Sequence, residues 1–378
     1  MDRRKFIKSS AAAAAAVSMG SVSSMASVKA EKPQLKSSRK IKFQPQTFQA
    51  PDGEIRSLLL HLGHNMWHDW PTEQMGENLE EAILKLPEKV RPDLVLACQD
   101  EVWRTITDHA AARGINMIVI DLGEGVVLPS HPELAVEGSW NVQKIQKEIA
   151  RLNGMGIECI PKFNFGSPHA GWLKDYRHMI SSKPFYRMVE EVLADAYEIF
   201  GHPRFMHVGY DEEKLSFRSG FSYCVQRLGE SWWCDFLHVV RVVENLGARP
   251  MAWSDFGWDD PEYVNRCPKS VVQQNWFYGN PATQLRERPG NPILPLFKQL
   301  DEAGFDQIPC GSNCLSDAEI AEGKVNRNMP ELIEYCNGVI SAGHLMGYMM
   351  APWGGRIIKQ NQDLYIQGID IFAETYGK

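Results

Sequence analysis

The sequence lacks the features that would point to nucleic-acid binding or to a membrane protein. Its formal net charge is −7 over 378 residues, so it does not carry the positive field that attracts phosphate backbones. Beyond the N-terminal segment there is no uninterrupted apolar run of about 18 residues, the length that a membrane-spanning helix needs. We therefore expect no nucleic-acid partner, and no membrane span once that segment is removed.

The eight cysteines form neither a zinc signature nor a disulfide framework. Cys224 with Cys234, and Cys310 with Cys314, are the close pairs, and the other four are scattered along the chain. Few histidines fall where a barrel or sheet would place a metal site, and no glycine-rich phosphate turn follows the first predicted strand. We expect no metal and no cofactor, and an open nucleotide-binding sheet is disfavoured.

The N-terminus is typical of an export signal. MDRRKFIKSS is basic and carries paired Arg3 and Arg4, and the weakly apolar run AAAAAAVSMGSVSSMASVKA follows it. This combination resembles a twin-arginine signal, and a disordered basic tail is the alternative. We expect residues 1–30 to be the signal, residues 31–50 a polar linker, and residues 51–378 a single domain that works in the periplasm or outside the cell.

Eight β-rich runs recur after the linker, and helical periodicity fills most of the intervals. One predicted helix runs from 231 to 246 and ends at Gly247, where a left-handed cap is least costly. Alternating strands and helices predict parallel pairing, and eight such units predict an α/β protein with the (β/α)8 TIM-barrel fold. The predicted strands are SLLLHLGHNM, INMIVIDLG, IECIPKFNF, FMHVGYDE, RPMAWSDF, VVQQNWFY, FDQIPCGSN and LMGYMMAPW.

Functional side chains of this fold lie at the C-terminal ends of the strands. Aromatic and acidic residues dominate those ends here, and a site for a sugar needs flat apolar faces beside hydrogen-bonding acids. His64, Asn65 and Trp67 follow the first strand. The residues expected to bind an oligosaccharide or glycan are Asp121, Asn164, His169, His207, Trp253, Asp255, Trp276, Tyr278, Asn313 and Trp353.

FMHVGYDEE, residues 205–213, is a buried strand that ends in three consecutive acids. Because neighbours in a strand point to opposite faces, Asp211 and Glu212 are not expected to flank a scissile bond as in ordinary glycosidases. They suit a mechanism in which one acid protonates the leaving oxygen and the other orients the 2-acetamido group of an N-acetylhexosamine. Glu213 is expected to be a solvated charge. Alternatively, the acids only cap a helix.

The same stretch resembles the His-Xaa-Gly-Gly-Asp-Glu motif of glycoside hydrolase family 20, the β-N-acetylhexosaminidases, which follows their fourth barrel strand. GIECIPKFNFGSPHAGW resembles that family's third strand and its Pro-Gly-His turn, with His169 on the histidine. RPMAWSDF and VVQQNW resemble the fifth and sixth strands. The resemblance covers most of 58–353 and implies that Glu212 is the general acid/base and that Asp211 holds the acetamido N–H.

The chain departs from that pattern at several positions. Tyr210 stands where the family has its second glycine, so we expect a bulky side chain beside the acids. The first strand lacks the family's arginine, and PCGSNC lacks its Tyr-Xaa-Asp. Gly355 replaces a glutamate that the family carries two residues after its last-strand tryptophan, here Trp353.

These features together predict an exported, exo-acting and retaining glycoside hydrolase for terminal β-linked N-acetylhexosamine. One alternative is a carbohydrate-binding barrel without turnover, because several sugar-recognition residues of the family are missing. The other is a metal-dependent barrel hydrolase that would use Asp121, His169, Asp211 and Glu212.

Overall fold

A computed structural model describes residues 53–214, 220–314 and 326–376 of the protein. The predicted signal and linker lie outside these ranges. Within them, none of the helices has the length and apolar character needed to cross a bilayer.

The described residues contain one eight-stranded sheet in which every pairing is parallel. Its order is β6-β5-β4-β3-β2-β1-β8-β7, and single bridges from Gln273 to Gln307 and from Trp276 to Cys310 join the two outer strands. The sheet is therefore a nearly closed (β/α)8 TIM barrel, which confirms the predicted fold class. The strands are β1 Ile55–His61, β2 Met117–Asp121, β3 Glu158–Lys162, β4 Phe205–His207, β5 Arg249–Trp253, β6 Val272–Gln274, β7 Cys310–Gly311 and β8 Gly347–Met350.

Helices connect the strands and pack on the outside of the sheet. The helix predicted from 231 to 246 is observed, and Gly247 ends it in the left-handed conformation with φ 99°. The α-helices are α1 Leu79–Leu84, α2 Asp100–Ala112, α3 Val142–Gly154, α4 Lys183–Ile199, α5 Glu230–Leu246, α6 Tyr263–Arg266, α7 Pro281–Glu287, α8 Ile293–Glu302, α9 Asn328–Val339 and α10 Gln362–Glu374. Short 3-10 helices span Asn65–Trp67, Glu73–Met75, Glu88–Val90, Pro132–Leu134, Ser167–His169, Gly171–Met179, Asp255–Trp258 and Lys359–Asn361.

Strand alternation divides the core into two apolar clusters. Leu58 and Leu60 belong to the cluster that includes residues of the surrounding helices, whereas Leu59 belongs to a separate cluster made of residues from the strands and their C-terminal ends. The second cluster fills the barrel interior, as expected when side chains along a strand alternate between two faces.

The top of the barrel interior is polar rather than apolar. The register aligns His61 with Asp121, Asp121 with Lys162, and Lys162 with His207, and all four side chains are buried. These residues form one layer across four neighbouring strands. We call them the polar layer, and the candidate site lies at the same end of the barrel.

Candidate active site

A cavity of about 560 Å³ lies at the C-terminal ends of the strands. Asp211 and Glu212 line it, together with five aromatic side chains and a basic group. The aromatic residues are Trp67, Trp253, Trp276, Tyr278 and Trp353, and the basic group consists of His64, His68, Lys89 and Arg356.

The two acids lie on a loop rather than on a strand. Strand β4 ends at His207, and φ is positive at Gly209 (74°), Tyr210 (73°) and Glu212 (60°). This backbone overturns the prediction that the neighbouring carboxylates point to opposite faces, because strand alternation ends before they are reached. Both carboxylates approach Nε2 of His169, at 3.5 Å from Oδ2 of Asp211 and 3.1 Å from Oε2 of Glu212.

Asn164, just beyond β3, fixes the acidic loop. Its Nδ2 donates to Oδ1 of Asp211 at 2.7 Å, and its Oδ1 accepts the backbone N–H of Tyr210 at 3.2 Å. Gly209 packs so closely against Asn164 that a Cβ would overlap its side chain and backbone, which excludes a larger residue there. The orientation of Asp211 is therefore set from the neighbouring strand.

Asp255, just beyond β5, fixes the other side of the loop. Its Oδ2 accepts the backbone N–H of Glu212 at 2.8 Å, and its side chain is buried. Burial and the nearby charge of Asp211 raise the pKa of Asp255 to about 7. The predicted site residue Asp255 thus holds the backbone of the acidic loop and does not line the cavity.

His169 lies beside both acids, and their charges favour its protonated form. Burial alone lowers its pKa, but the charge of Asp211 and the hydrogen bond and charge of Glu212 outweigh burial and raise the pKa above the ordinary value of 6.5. Asp211 is the more buried of the two acids, whereas 24% of the Glu212 side chain is exposed to the cavity. The arrangement gives one acid that is held in place and one that can reach a bound molecule.

The aromatic side chains form a continuous wall. Trp276 stacks on Tyr278 with ring centroids 5.0 Å apart, Tyr278 lies 6.1 Å from Trp353, and Trp353 lies 6.0 Å from both Trp253 and Trp67. The indole N–H of Trp253 is buried and meets no hydrogen-bond acceptor in the part of the chain that the structure describes. Flat apolar faces with an available donor are suited to a sugar ring and its substituents.

Two further predictions about the acidic stretch are wrong. Tyr210 does not crowd the acids: it points away from the cavity and packs against Trp232 and Phe236 of α5. Glu213 is not solvated, because it is buried in an ion pair with Arg227 and accepts the backbone N–H of Ser167 at 2.9 Å.

Six predicted site residues do not line the cavity, namely Asp121, Asn164, His169, His207, Asp255 and Asn313. Asn164, His169 and Asp255 contact the acidic loop as described above, and the other three make the following contacts. Asp121 is buried in an ion pair with Lys162 within the polar layer, and burial raises the pKa of Asp121. His207 points into the barrel, as predicted from strand parity, and its Nδ1 accepts the N–H of Gly209 at 3.0 Å. Asn313 donates to the carbonyl of Leu364 in α10 at 2.9 Å. The structure therefore brings together His169, Asn164, Asp211, Glu212, Trp253, Trp276, Tyr278 and Trp353, with Asp255 beneath them.

Sequence reasoning missed several residues of the site and of its buried supports. Lys162 could have been found, because a lysine inside the apolar run IECIPKFNF shares strand parity with the buried Ile160. Arg227, which neutralises Glu213, has no local signal, since it is brought back from 14 residues downstream. Lys89 reaches the cavity from the 3-10 helix Glu88–Val90 and Arg356 from the loop after β8, and sequence periodicity describes neither segment.

No protein-family model matches the chain, and no curated protein matches it in sequence. Solved structures do match it, and the fold that they share with it is the barrel described above. The likeness is in three dimensions, since sequence identities are 12–14%.

Glycoside hydrolases of family 20 are among the solved structures with this fold. A β-N-acetylhexosaminidase from Bacteroides fragilis is 13% identical with TM-score 0.51, over 84% of this chain and 66% of that one. A catalytic module of the pneumococcal exo-β-D-N-acetylglucosaminidase is 12% identical with TM-score 0.53, over 85% and 83%. A β-N-acetylhexosaminidase from Streptomyces coelicolor is 12% identical with TM-score 0.54, over 84% and 63%. The first and third neighbours thus extend well beyond the part that this chain matches.

Proposed function

We propose that the protein is a glycoside hydrolase that removes terminal β-linked N-acetylhexosamine from a glycan, with retention and with help from the substrate. The observation that carries this proposal is the convergence of Asp211 and Glu212 on His169 at the edge of an aromatic cavity. The barrel that it shares with family 20 hexosaminidases supports the same reaction.

In this proposal, each acid has a different task. Asp211, which Asn164 holds and which is largely buried, accepts the N–H of the 2-acetamido group and turns its carbonyl oxygen toward the anomeric carbon. That oxygen forms the new bond to carbon as the glycosidic bond breaks, and Glu212 gives its proton to the leaving oxygen. Water then opens the cyclic oxazolinium intermediate, which still carries the N–H proton, and Glu212 takes a proton from that water.

The aromatic side chains that line the cavity bind the sugar. Trp253, Tyr278 and Trp353 enclose the side of the cavity beside the acids and can cover the acetamido methyl group and one face of the ring. The free N–H of the Trp253 indole can donate to a sugar oxygen. His169 supports both acids, because its Nε2 lies 3.5 Å from an oxygen of Asp211 and 3.1 Å from an oxygen of Glu212.

Hydrolysis of aryl β-N-acetylhexosaminides tests the proposal in wild type, Glu212→Gln and Asp211→Asn. Loss of the proton donor is expected to lower kcat/KM about 10²–10⁴-fold. Glu287→Gln, an exposed carboxylate on α7, is the matched control. Unchanged activity in Glu212→Gln would refute the assignment, and cleavage only of sugars without a 2-acetamido group would refute the mechanism.

Binding of a thiazoline mimic of the cyclic intermediate separates the alternatives. Tight binding by wild type without turnover would support a carbohydrate-binding barrel. Loss of turnover on removal of a metal that His169→Ala no longer binds would instead favour a metal-dependent hydrolase at His169, Asp211 and Glu212, whose ligand atoms lie within 4.8 Å of one another.

We also propose export through a twin-arginine signal, on the evidence of Arg3, Arg4 and the weakly apolar run after them. Cell fractionation of the full chain tests this. Replacement of both arginines by lysine is expected to retain the protein in the cytoplasm, and equal export of the two forms would refute it.

A further inference from the structure

Three potential metal ligands meet at one edge of the cavity. His64 precedes the 3-10 helix Asn65–Trp67, His68 follows it, and Asp93 comes from the loop before α2. One ligand atom from each lies within 4.8 Å of the others. Both histidines line the same cavity as the acids.

The spacing between His64 and Asp93 fits a shared ion better than a hydrogen bond. Nδ1 of His64 is 3.7 Å from Oδ2 of Asp93, beyond hydrogen-bonding distance. That nitrogen is buried and has no hydrogen-bond partner among the described residues. Two ligands of a tetrahedral ion, each about 2.1 Å from the metal, lie about 3.4 Å apart.

Hydrogen bonds around the cluster prepare His68 as a ligand. Oδ1 of Asn65 accepts the backbone N–H of Asp93 at 2.7 Å and faces Nδ1 of His68 at 2.8 Å. Because that oxygen is an acceptor, the His68 proton lies on Nδ1, and the lone pair lies on Nε2. A ring nitrogen held in this way is the usual support for a metal-binding histidine.

Arg356 supports the carboxylate in a similar way. Its Nε donates to Oδ2 of Asp93 at 2.9 Å and its Nη2 donates to Oδ1 at 2.8 Å. Each oxygen keeps a second lone pair, and ligating carboxylates are commonly oriented by such hydrogen bonds.

We propose that His64, His68 and Asp93 bind a divalent metal ion such as zinc. Two imidazoles and one carboxylate with an open fourth position form a known zinc ligand set. The sequence did not indicate it, because Asp93 lies 29 and 25 residues beyond the two histidines and none of the three is on a strand. Metal binding does not depend on the proposed hydrolysis. If that function holds, the open position can take an oxygen of the bound glycan.

Zinc chloride titration of the purified full chain, stripped with EDTA and monitored with a competing chromogenic chelator, tests the proposal. Wild type is expected to take up one zinc per chain at this site. Loss of an outer-sphere partner alone costs about 10–100-fold in affinity, so His68→Ala and His64→Ala are expected to weaken zinc binding by at least about 100-fold. Glu212→Gln should bind zinc as wild type does, even where it abolishes hydrolysis.

His202→Asn is the matched control, because His202 is exposed and asparagine tolerates its positive φ of 64°. Circular dichroism checks the fold of each variant, and the visible absorption of the cobalt-substituted protein reports the coordination geometry of the bound ion in wild type and in each variant. Absence of zinc binding in wild type would overturn the proposal. Zinc that survives His68→Ala but is lost in Glu212→Gln and His169→Ala would also overturn it, since the ion would then lie at the acids.

Discussion

The buried carboxyl of Asp255 is expected to make the protein less stable as the pH rises from about 4 to 7. Its pKa is about 7 in the folded protein against an ordinary value of 3.8, because of burial and the charge of Asp211. The folded state therefore holds a proton that the unfolded state has lost, so the free energy of unfolding falls with pH in this window. A pKa difference of about 3, at about 1.4 kcal/mol for each, corresponds to about 4 kcal/mol.

Asp255→Asn removes this charge and keeps an oxygen that can accept the N–H of Glu212. Relative to wild type, the variant is expected to gain up to about 4 kcal/mol of stability between pH 4 and pH 8. Urea unfolding at a series of pH values, followed by tryptophan fluorescence, measures the difference. At pH 4, where the wild-type carboxyl is already neutral, the two proteins should differ least.

Asp363→Asn is the matched control, because Asp363 is an exposed carboxylate in the first turn of α10. This substitution removes an exposed carboxylate and leaves the buried carboxylate of Asp255 in place. Parallel stability curves for wild type and Asp255→Asn from pH 4 to 8 would refute the reasoning. A variant that is more stable than wild type at pH 4 but not at pH 8 would show the opposite pH dependence and would also refute the reasoning.

Two further substitutions test the supports of the acidic loop. Gly209→Ala is expected to cost about 2–3 kcal/mol and to lower kcat/KM, because φ is 74° and the new Cβ overlaps Asn164; an unchanged urea midpoint would contradict this. Arg227→Met is expected to cost about 3–5 kcal/mol, because it leaves Glu213 and Asp235 buried without their cation. Urea unfolding measures that loss, and the double variant Arg227→Met with Glu213→Gln should lose less than the single one.

The strands could be predicted because their signal is local. The short apolar runs in INMIVIDLG and IECIPKFNF are enough to mark β2 and β3, and the count of eight such runs predicts the barrel. Boundaries were less predictable. Strand β7 contains two residues, and single bridges rather than a regular ladder join β6 to β7. The pattern in FDQIPCGSN marks a buried segment but does not show how many of its residues pair.

The site could be predicted only where the motif itself carries the information. Asp211, Glu212 and His169 converge as the family resemblance implies, although their roles stay proposals. The direction of each side chain could not be predicted. Side chains alternate between two faces only in an extended strand, and three residues after β4 have positive φ. Tyr210 and Glu213 therefore point away from the positions that an extended strand would give them.

The support of the acidic loop has a consequence for protein engineering. We expect the stretch 205–213 to lose its conformation if it is transferred alone into another barrel. Its backbone is shaped by Asn164 from the third strand and Asp255 from the fifth, and its charges are balanced by His169 and Arg227. A transplanted acid pair would have the same sequence but would not adopt the same backbone conformation. The smallest transferable unit is therefore three consecutive strand ends together with the arginine that precedes α5.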